Sequence, residues 1–359
     1  MNLSIDEKIG QRFMFGVNDA NIDCIIELIK NFYVGGVVLY KKNYNSYTEL
    51  LDVVRRLKEA NKDNKIPLFI AIDQEGGRVN RMPSDVHALK NIYDISKENA
   101  NLVSDSANIT GKMLYNVGIN MNLAPVMDIY NNSKSRVLYK RCFYGDGDNV
   151  SSLGICYMNK LSGNKVIPVI KHFPGHGASK IDSHFMIPYI FNYKEVIEKH
   201  MMPFKNAISE GVDVIMLGHM VVRKITKGLP ASISDDFIKK YLRSEFKYDG
   251  IIMTDELNML KNNILYRGIY LKKALISSND ILLIKIKNMD EGNKIINKYK
   301  EILLNNVWCS KELDNSVKRI ISLKEKYDIS DNFLFGNIKL SDINKEIDEI
   351  NLKVNFTKN

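Results

Sequence analysis

The sequence contains few cysteines. Its four cysteines are far apart and form no CxxC pair: Cys24, Cys142, Cys156 and Cys309. A zinc knuckle needs closely spaced cysteines, and a disulfide scaffold needs many of them in a short chain. The spacing excludes both classes of protein, and reduced thiols in a cytosol are the simplest interpretation.

Long apolar runs are also absent. No run approaches the roughly 20 residues that span a membrane, and the N-terminal stretch MNLSIDEKIGQRF has no apolar core of the kind found in signal sequences. We therefore expect a cytoplasmic protein with no membrane contact. The net charge of +9 comes from scattered lysines rather than one dense basic run with interleaved aromatics, so we expect no nucleic-acid partner.

The composition predicts one large globular unit. Hydrophobic residues make up 45% of the chain and charged residues 26%, which allows a sizeable buried core. No low-complexity linker and no repeat of 20–50 residues divides the sequence. From about residue 329 the chain becomes polar and rich in Asn and Lys, so we expect residues 329–359 to be a loosely held C-terminal tail of unknown role.

Eight short apolar runs alternate with amphipathic stretches, which is the pattern of parallel strands joined by helices. The predicted strands cover residues 11–17, 35–40, 67–73, 119–126, 166–172, 212–219, 250–256 and 279–286. Eight is the number of strands that closes a TIM-type (β/α)8 barrel. We therefore predict an α/β protein with a single such barrel over residues 1–328. A doubly wound open sheet is the alternative, although no GxGxxG motif follows the first strand.

Ionisable residues follow several of the predicted strands directly. They are Asp73, Glu75, Arg78, Asp128, Lys171, His172, His219, Asp255 and Glu256. Barrel enzymes carry their reacting groups at the C-terminal ends of the strands, and charged groups behind apolar runs are costly to desolvate unless they are paired. These residues therefore predict one site. Taken singly, DQEGGRVNR could be a Gly-Gly turn with surface charges, TDE a helix cap, and His219 a core histidine.

The stretch KHFPGHGASKIDSH, residues 171–184, is the densest in proton-carrying groups. His172 and His176 have the i,i+4 spacing of a helical metal pair, but Pro174 and Gly175 interrupt the helix that such a pair needs. A metal-dependent amidohydrolase using these two histidines and His219 stays an alternative, although no HxH follows the first strand.

The motifs DQEGGRVNR, NLAPVMDI, KHFPGHG, DSH, PASIS and GIIMTDELNM occur in this order. Together they resemble glycoside hydrolase family 3, and in particular its single-domain bacterial β-N-acetylglucosaminidase (β-hexosaminidase) branch, over residues 8–328. The resemblance implies a (β/α) barrel that removes terminal β-linked N-acetylglucosamine from peptidoglycan-derived fragments during cell-wall recycling. It also implies that no metal or other cofactor is used. We expect a monomer.

The resemblance assigns roles to individual residues. Asp255 matches the catalytic nucleophile of a retaining mechanism with a covalent glycosyl-enzyme intermediate. His184 matches the acid/base and Asp182 its partner. The residues that match positions holding the sugar hydroxyls are Asp73, Arg81, Arg141, Lys171 and His172. The chain departs from the family pattern at Glu256, Asn258 and Cys142, and it lacks the proline usual before Arg141. A sugar-binding barrel without catalytic activity is a further alternative.

Overall fold

The computed structural model describes residues 2–130, 137–179, 187–262, 267–305, 307–332 and 334–354. The described strands are β1 (Phe13–Val17), β2 (Gly36–Leu39), β3 (Phe69–Ile72), β4 (Met121–Asn122), β5 (Ile167–Phe173), β6 (Tyr189–Ile190), β7 (Val214–Leu217), β8 (Val221–Val222), β9 (Ile251–Thr254) and β10 (Leu282–Ile286). All eight predicted strands are confirmed, with β6 and β8 as a short additional pair outside the main sheet.

The eight main strands form one parallel sheet in the order β10-β1-β2-β3-β4-β5-β7-β9. The two ends of this sheet meet, because Met253 forms a parallel bridge to Ile281 and the amide of Thr254 donates to the carbonyl of Ile281 at 3.0 Å. This closure makes the sheet a TIM-type barrel, as predicted, and excludes the open doubly wound alternative.

Helices surround the barrel. They are α1 (Ile5–Gln11), α2 (Asp23–Phe32), α3 (Tyr47–Asn61), α4 (Ile92–Glu98), α5 (Ala100–Asn116), α6 (Gly147–Gly163), α7 (Tyr193–Glu195), α8 (Met202–Ser209), α9 (Arg223–Thr226), α10 (Asp235–Phe237), α11 (Arg267–Ile276), α12 (Met289–Leu304), α13 (Val307–Lys326) and α14 (Leu340–Leu352). π-helical turns at Val196–His200 and Ile238–Glu245 extend α7 and α10. Several helices begin at a side-chain cap, such as Ser4, whose hydroxyl accepts from the amide of Glu7.

The barrel interior is a packed apolar core. Alternate strand residues such as Met14, Phe69 and Val169 fill it and are almost completely buried. At the N-terminal end of the strands, α13 closes the barrel with Ile320 and Leu323, which belong to the same cluster. Because this end is closed, a cavity inside the barrel can open only at the C-terminal ends of the strands.

The expectation of a loosely held tail is wrong for residues 334–354. Helix α14 packs on α5, and Ile343, Ile347 and Ile350 are no more than 6% exposed. These residues are four and three positions apart, so they form one apolar stripe on a helix that is otherwise polar. The average polarity of residues 329–359 gave no indication of this stripe. The division of the chain into domains at residue 328 stays a prediction. None of the described helices has the length and apolarity that a membrane span requires.

Candidate active site

A cavity of about 940 Å³ opens at the C-terminal ends of the barrel strands. Six of the eight predicted site residues line it: Asp73, Arg81, Arg141, Lys171, His172 and Asp255. They come from four separated parts of the chain. The predicted convergence of these side chains is therefore present in the fold, while their individual roles stay predictions.

Glu75 lies at the centre of a buried charge network on one wall of the cavity. Its carboxylate binds the Arg141 guanidinium at two points, 2.7 Å from Nε and 2.8 Å from Nη2. The amino group of Lys171 lies 2.7 Å from Glu75 Oε1 and 2.7 Å from Asp73 Oδ1. Glu75 thus binds both cations, and Asp73 binds Lys171 as well, so both cations are fixed relative to the sheet.

The network holds its members in their charged forms. Burial alone raises the pKa of Glu75, but the charges of Arg141 and Lys171 outweigh that effect and lower the pKa well below the usual range. Burial likewise opposes the charge of Lys171, yet Asp73 and Glu75 raise the pKa of Lys171 above its ordinary value. The cavity therefore presents fixed ionic groups to whatever enters it.

Asp128 holds the next part of the cavity wall, which is the chain at the end of β5. It is fully buried, and its carboxylate accepts from His172 Nδ1 at 2.7 Å and from the His176 amide at 2.6 Å. Burial opposes the charge of Asp128, but His172 and His176 lower the pKa of its carboxyl group. With Nδ1 engaged, the His172 ring turns its other nitrogen away from Asp128. Burial also lowers the pKa of His176 to about 4, so His176 is neutral at pH 7.

Asp255 follows β9 directly. Its amide donates to the carbonyl of Leu217 on the neighbouring strand at 2.9 Å, and its Oδ1 accepts from the amide of Glu256 at 2.7 Å. Burial raises the pKa of Asp255, but the nearby His219 and His172 lower this pKa by more than burial raises it, so the net shift is downward. An ionised carboxylate held by rigid backbone is suited to nucleophilic attack.

Glu256 and His219 lie next to this carboxylate. His219 is buried, with Nδ1 2.6 Å from the Ser232 hydroxyl and Nε2 3.0 Å from the Glu256 carbonyl oxygen. Both ring nitrogens therefore have protein partners, as in the core-histidine interpretation. Burial raises the pKa of the Glu256 carboxyl group, whose Oε1 accepts from the amides of Asn258 and Lys285.

Comparison with protein families explains this arrangement. The model of the glycosyl hydrolase family 3 N terminal domain matches residues 4–323. The chain belongs to this family. In a solved structure of a glycoside hydrolase family 3 β-N-acetylglucosaminidase from Paenibacillus sp. str. FPU-7, 28% of the residues are identical; the TM-score is 0.89, and the match covers 98% of this chain and 69% of that one.

Two named relatives of this glycosyl hydrolase family 3 chain have similar sequences. A beta-hexosaminidase from Nitrosospira multiformis is 32% identical over 234 residues, which is 63% of this chain and 66% of that protein. Beta-hexosaminidase A from Pseudoalteromonas piscicida is 28% identical over 327 residues, which is 84% of this chain and 54% of that protein. In both cases the chain covers less than two thirds of the relative's own length.

The two remaining predicted catalytic residues of the family pattern, Asp182 and His184, lie outside the described residues. The segment that leads to them leaves β5 under tight constraint. Gly175 has φ +115°, which side chains rarely allow. A Cβ atom on Gly177 would lie 1.9 Å from the Ile129 carbonyl oxygen. The start of this loop is therefore fixed by glycines against the barrel rim.

Sequence reasoning named Glu75 and Asp128 as strand-end groups, but it gave Asp128 no role and Glu75 only that of a second candidate, with Glu256, for the proton donor. In this glycosyl hydrolase family 3 barrel they hold the side chains predicted to contact substrate. Their position directly behind strands was the only signal in the sequence. In the part of the chain that the structure describes, no three His, Cys, Asp or Glu side chains converge as metal ligands, and the imidazole Nδ1 of His172 is bonded to Asp128.

Proposed function

We propose that this chain is a retaining exo-β-N-acetylglucosaminidase that releases terminal β-linked N-acetylglucosamine from peptidoglycan-derived fragments. The names of the relatives support the activity, since they are β-hexosaminidases and a β-N-acetylglucosaminidase. The observation that carries the proposal is the ionised Asp255 carboxylate in one cavity with the network around Glu75.

In the proposed mechanism, an Asp255 oxygen attacks the anomeric carbon of the bound sugar. The bond from that carbon to the leaving oxygen breaks, and His184 gives the leaving oxygen a proton. Water then attacks the anomeric carbon, loses its proton to His184, and releases Asp255. Two displacements at one carbon return the original configuration. An imidazole suits this double use because its unperturbed pKa, about 6.5, is close to neutral pH.

The proposed pocket for the terminal sugar uses charged side chains to bind hydroxyl groups. Asp73, Arg141, Lys171 and His172 line the cavity and are already held by their partners. Hydrogen bonds to charged groups contribute roughly 1.5–3 kcal/mol each. Asp73→Ala should therefore lower kcat/KM at least about tenfold, because 1.4 kcal/mol corresponds to a factor of ten.

Three lysines that line the cavity favour a substrate whose leaving portion is negatively charged. Lys41 and Lys42 on the turn after β2, and Lys285 on β10, line the cavity. Among the described residues, none of these three amino groups has a carboxylate within ion-pair distance. Because an exo-acting enzyme encloses the terminal sugar, the rim contacts the rest of the substrate. Peptidoglycan-derived fragments carry carboxylates there, which lysines attract.

Turnover of an aryl β-N-acetylglucosaminide beside the matching aryl β-glucoside tests the activity. We expect release from the first sugar to be much faster, with β-N-acetylglucosamine as the first product seen by NMR. Excess chelator should leave the rate unchanged. Loss of activity in chelator would support the metal-dependent amidohydrolase, and binding of N-acetylglucosamine without turnover would support a sugar-binding barrel. An α-configured first product would contradict the retaining mechanism.

A pair of aryl β-N-acetylglucosaminides that differ by one ring carboxylate tests the fragment preference. At low salt, the Lys41→Gln, Lys42→Gln double variant should lose about threefold to tenfold in kcat/KM for the carboxylated substrate only, as expected for partly exposed charges. Lys30→Gln, on the last turn of α2, is the matched control. Equal losses on both substrates would argue against an anionic leaving portion.

The proposal includes a cytoplasmic location and a monomeric state. The location is supported by the free thiols of Cys24, Cys142 and Cys156, which form no disulfide with one another and suit a reducing compartment. Cell fractionation followed by an activity assay tests the location. Light scattering of the purified protein tests the monomer, and a stable dimer would contradict it.

A further inference from the structure

The connection from β3 to α4, residues 73–91, carries one side of the cavity. Its first half contributes Asp73, Glu75 and Arg81 to the lining. Its second half, residues 85–91, runs away from the cavity and lies against α14. Polar side chains on α14 with the spacing i, i+4 and i+7 meet this second half, so they form one face of the helix.

Two of these side chains are asparagines, and each binds the backbone of the connection with both its amide oxygen and its amide nitrogen. Asn344 accepts from the His87 amide at 2.8 Å and donates to the Asp85 carbonyl at 2.9 Å. Asn351 accepts from the Lys90 amide at 2.9 Å and donates to the Ala88 carbonyl at 2.9 Å. These bonds fix the course of the connection at two points, independently of the side chains on it.

A contact between a carboxylate and an imidazole lies between the two asparagines. The Asp348 carboxylate is 2.9 Å from His87 Nδ1. In addition, the Lys90 amino group donates to the carbonyls of Asn351 and Val354, each at 2.8 Å. The last turns of α14 and the residues after it thus form a continuous contact with residues 85–91.

The braced segment is linked to the site by short steps. The Gly77 amide donates to the Leu89 carbonyl at 2.9 Å. A Cβ atom on Gly77 would lie only 2.5 Å from the Asn91 Cβ, so the two halves of the connection are in close contact. Two residues before Gly77, Glu75 holds Arg141 and Lys171. A shift of residues 85–91 would therefore move the carboxylate at the centre of the charge network.

The opposite face of α14 is anchored elsewhere. Ile343, Ile347 and Ile350 pack into the core against α5, and Glu346 pairs with Lys112 of α5 at 3.0 Å. We infer that α14 is a brace: Asn344, Asp348 and Asn351 are positioning residues that hold the β3–α4 connection, and through it Glu75, in the geometry that binds the sugar.

This inference rests on the proposed function, because its first readout is sugar turnover. The Asn344→Ala, Asn351→Ala double variant should raise KM for an aryl β-N-acetylglucosaminide about tenfold and change kcat less than about twofold. The reason is that the sugar-binding wall loosens, while Asp255 and His184 lie on other segments. Glu346→Ala is the matched control on the same helix, since it removes a contact to α5 and none to the connection.

Hydrogen exchange supplies a second readout that needs no substrate. The Gly77 amide should exchange at least about tenfold faster in the double variant than in the Glu346→Ala variant, because local opening becomes easier. Unchanged KM together with unchanged Gly77 exchange would overturn the brace. If the wild-type protein turns over no N-acetylglucosaminide, the proposed function fails, and Gly77 exchange still decides the inference. If the double variant does not fold, the single asparagine variants carry the same test.

Discussion

Replacing Glu75 with glutamine removes one charge from the centre of the network and keeps the size of the side chain. Glu75 is buried, with 3% of its side chain exposed, and it binds both Arg141 and Lys171. After the substitution, Lys171 keeps Asp73 at 2.7 Å. Among the described residues, Arg141 keeps only neutral hydrogen-bond acceptors, such as the Val137 carbonyl at 3.1 Å. One buried cation then has no carboxylate partner.

Removing one partner of a buried ion pair costs about 3–5 kcal/mol, because the remaining charge stays desolvated. We expect the free energy of unfolding of Glu75→Gln to fall by that amount at pH 7, measured by urea denaturation. A typical domain has a stability of about 5–15 kcal/mol, so the variant should fold but with much less margin. We also expect kcat/KM to fall at least about tenfold, since Lys171 and Arg141 lose their common anchor.

The pH dependence identifies the cause of this loss. The pKa of Glu75 is lower in the folded than in the unfolded protein. Its stabilisation is therefore complete above the ordinary glutamate range and disappears as the pH falls below it. The difference in unfolding free energy between wild type and Glu75→Gln should be constant above about pH 5 and should shrink as the pH falls from about 5 to about 3. A difference that stays constant over this range would refute the electrostatic reasoning.

Glu59→Gln is the matched control, because Glu59 is an exposed residue on α3 that pairs with Lys62. Surface pairs are worth about 0–1 kcal/mol, so this variant should remain near wild type at every pH. A loss as large as that of Glu75→Gln would mean that the assay responds to any missing glutamate charge.

Other changes test separate parts of the molecule. Asp255→Ala should lower kcat about a thousandfold or more, and a slow fluorosugar substrate should label Asp255 in mass spectrometry; near-normal rates would contradict its role. His184→Ala should give a burst of phenol and a slow steady rate with a good leaving group, whereas full turnover of a natural disaccharide would exclude His184 as the proton donor. Burial lowers the pKa of Lys324 to about 7, so above that pH the unfolded chain binds more protons than the folded protein. The free energy of unfolding of the wild type, measured by urea denaturation, should therefore rise between about pH 7 and pH 10, and Lys324→Met should lack that rise. Ile347→Ala should lower the unfolding free energy by about 2–5 kcal/mol, and a smaller loss would mean that α14 contributes little to the core.

The strands were predictable because strands buried on both faces read as nearly continuous apolar runs. The ends of the strands were less predictable. The fourth strand was predicted over residues 119–126, but β4 is only Met121–Asn122. Pro125 has no amide to donate to a neighbouring strand, so residues 123–126 pair with β5 irregularly: the Ala124 and Pro125 carbonyls accept from the amides of Val169 and Lys171, and Val126 forms an isolated bridge with Lys171. Side chains extend the contact instead, since the Asn120 and Asn122 amide oxygens accept from backbone amides of the β3 segment.

The site was predictable where a residue follows a strand, as Asp73, Lys171 and Asp255 do. Pairing between such residues was not, because the partners are far apart in sequence. Glu75 and Arg141 are separated by 66 positions, and no local pattern indicates that they meet. The C-terminal helix was missed for another reason: its apolar stripe of three isoleucines is too sparse to change the polar average of the tail.

If the proposed sugar pocket is correct, the charge network links substrate binding to the stability of the fold. Each of its charges is costly to bury alone, and the opposite charges of the network lower the pKa of Glu75 and raise the pKa of Lys171. Because the protein's own side chains make these contacts, the wall is held in one arrangement, and an ordered wall lowers the ordering cost of binding a sugar. The same contacts make the wall dependent on its support: a carboxylate that must stay near two cations tolerates little movement of its backbone. A barrel that binds sugars with buried ions should therefore need its β3–α4 connection held from outside, and in this chain α14 is one of the segments that hold it.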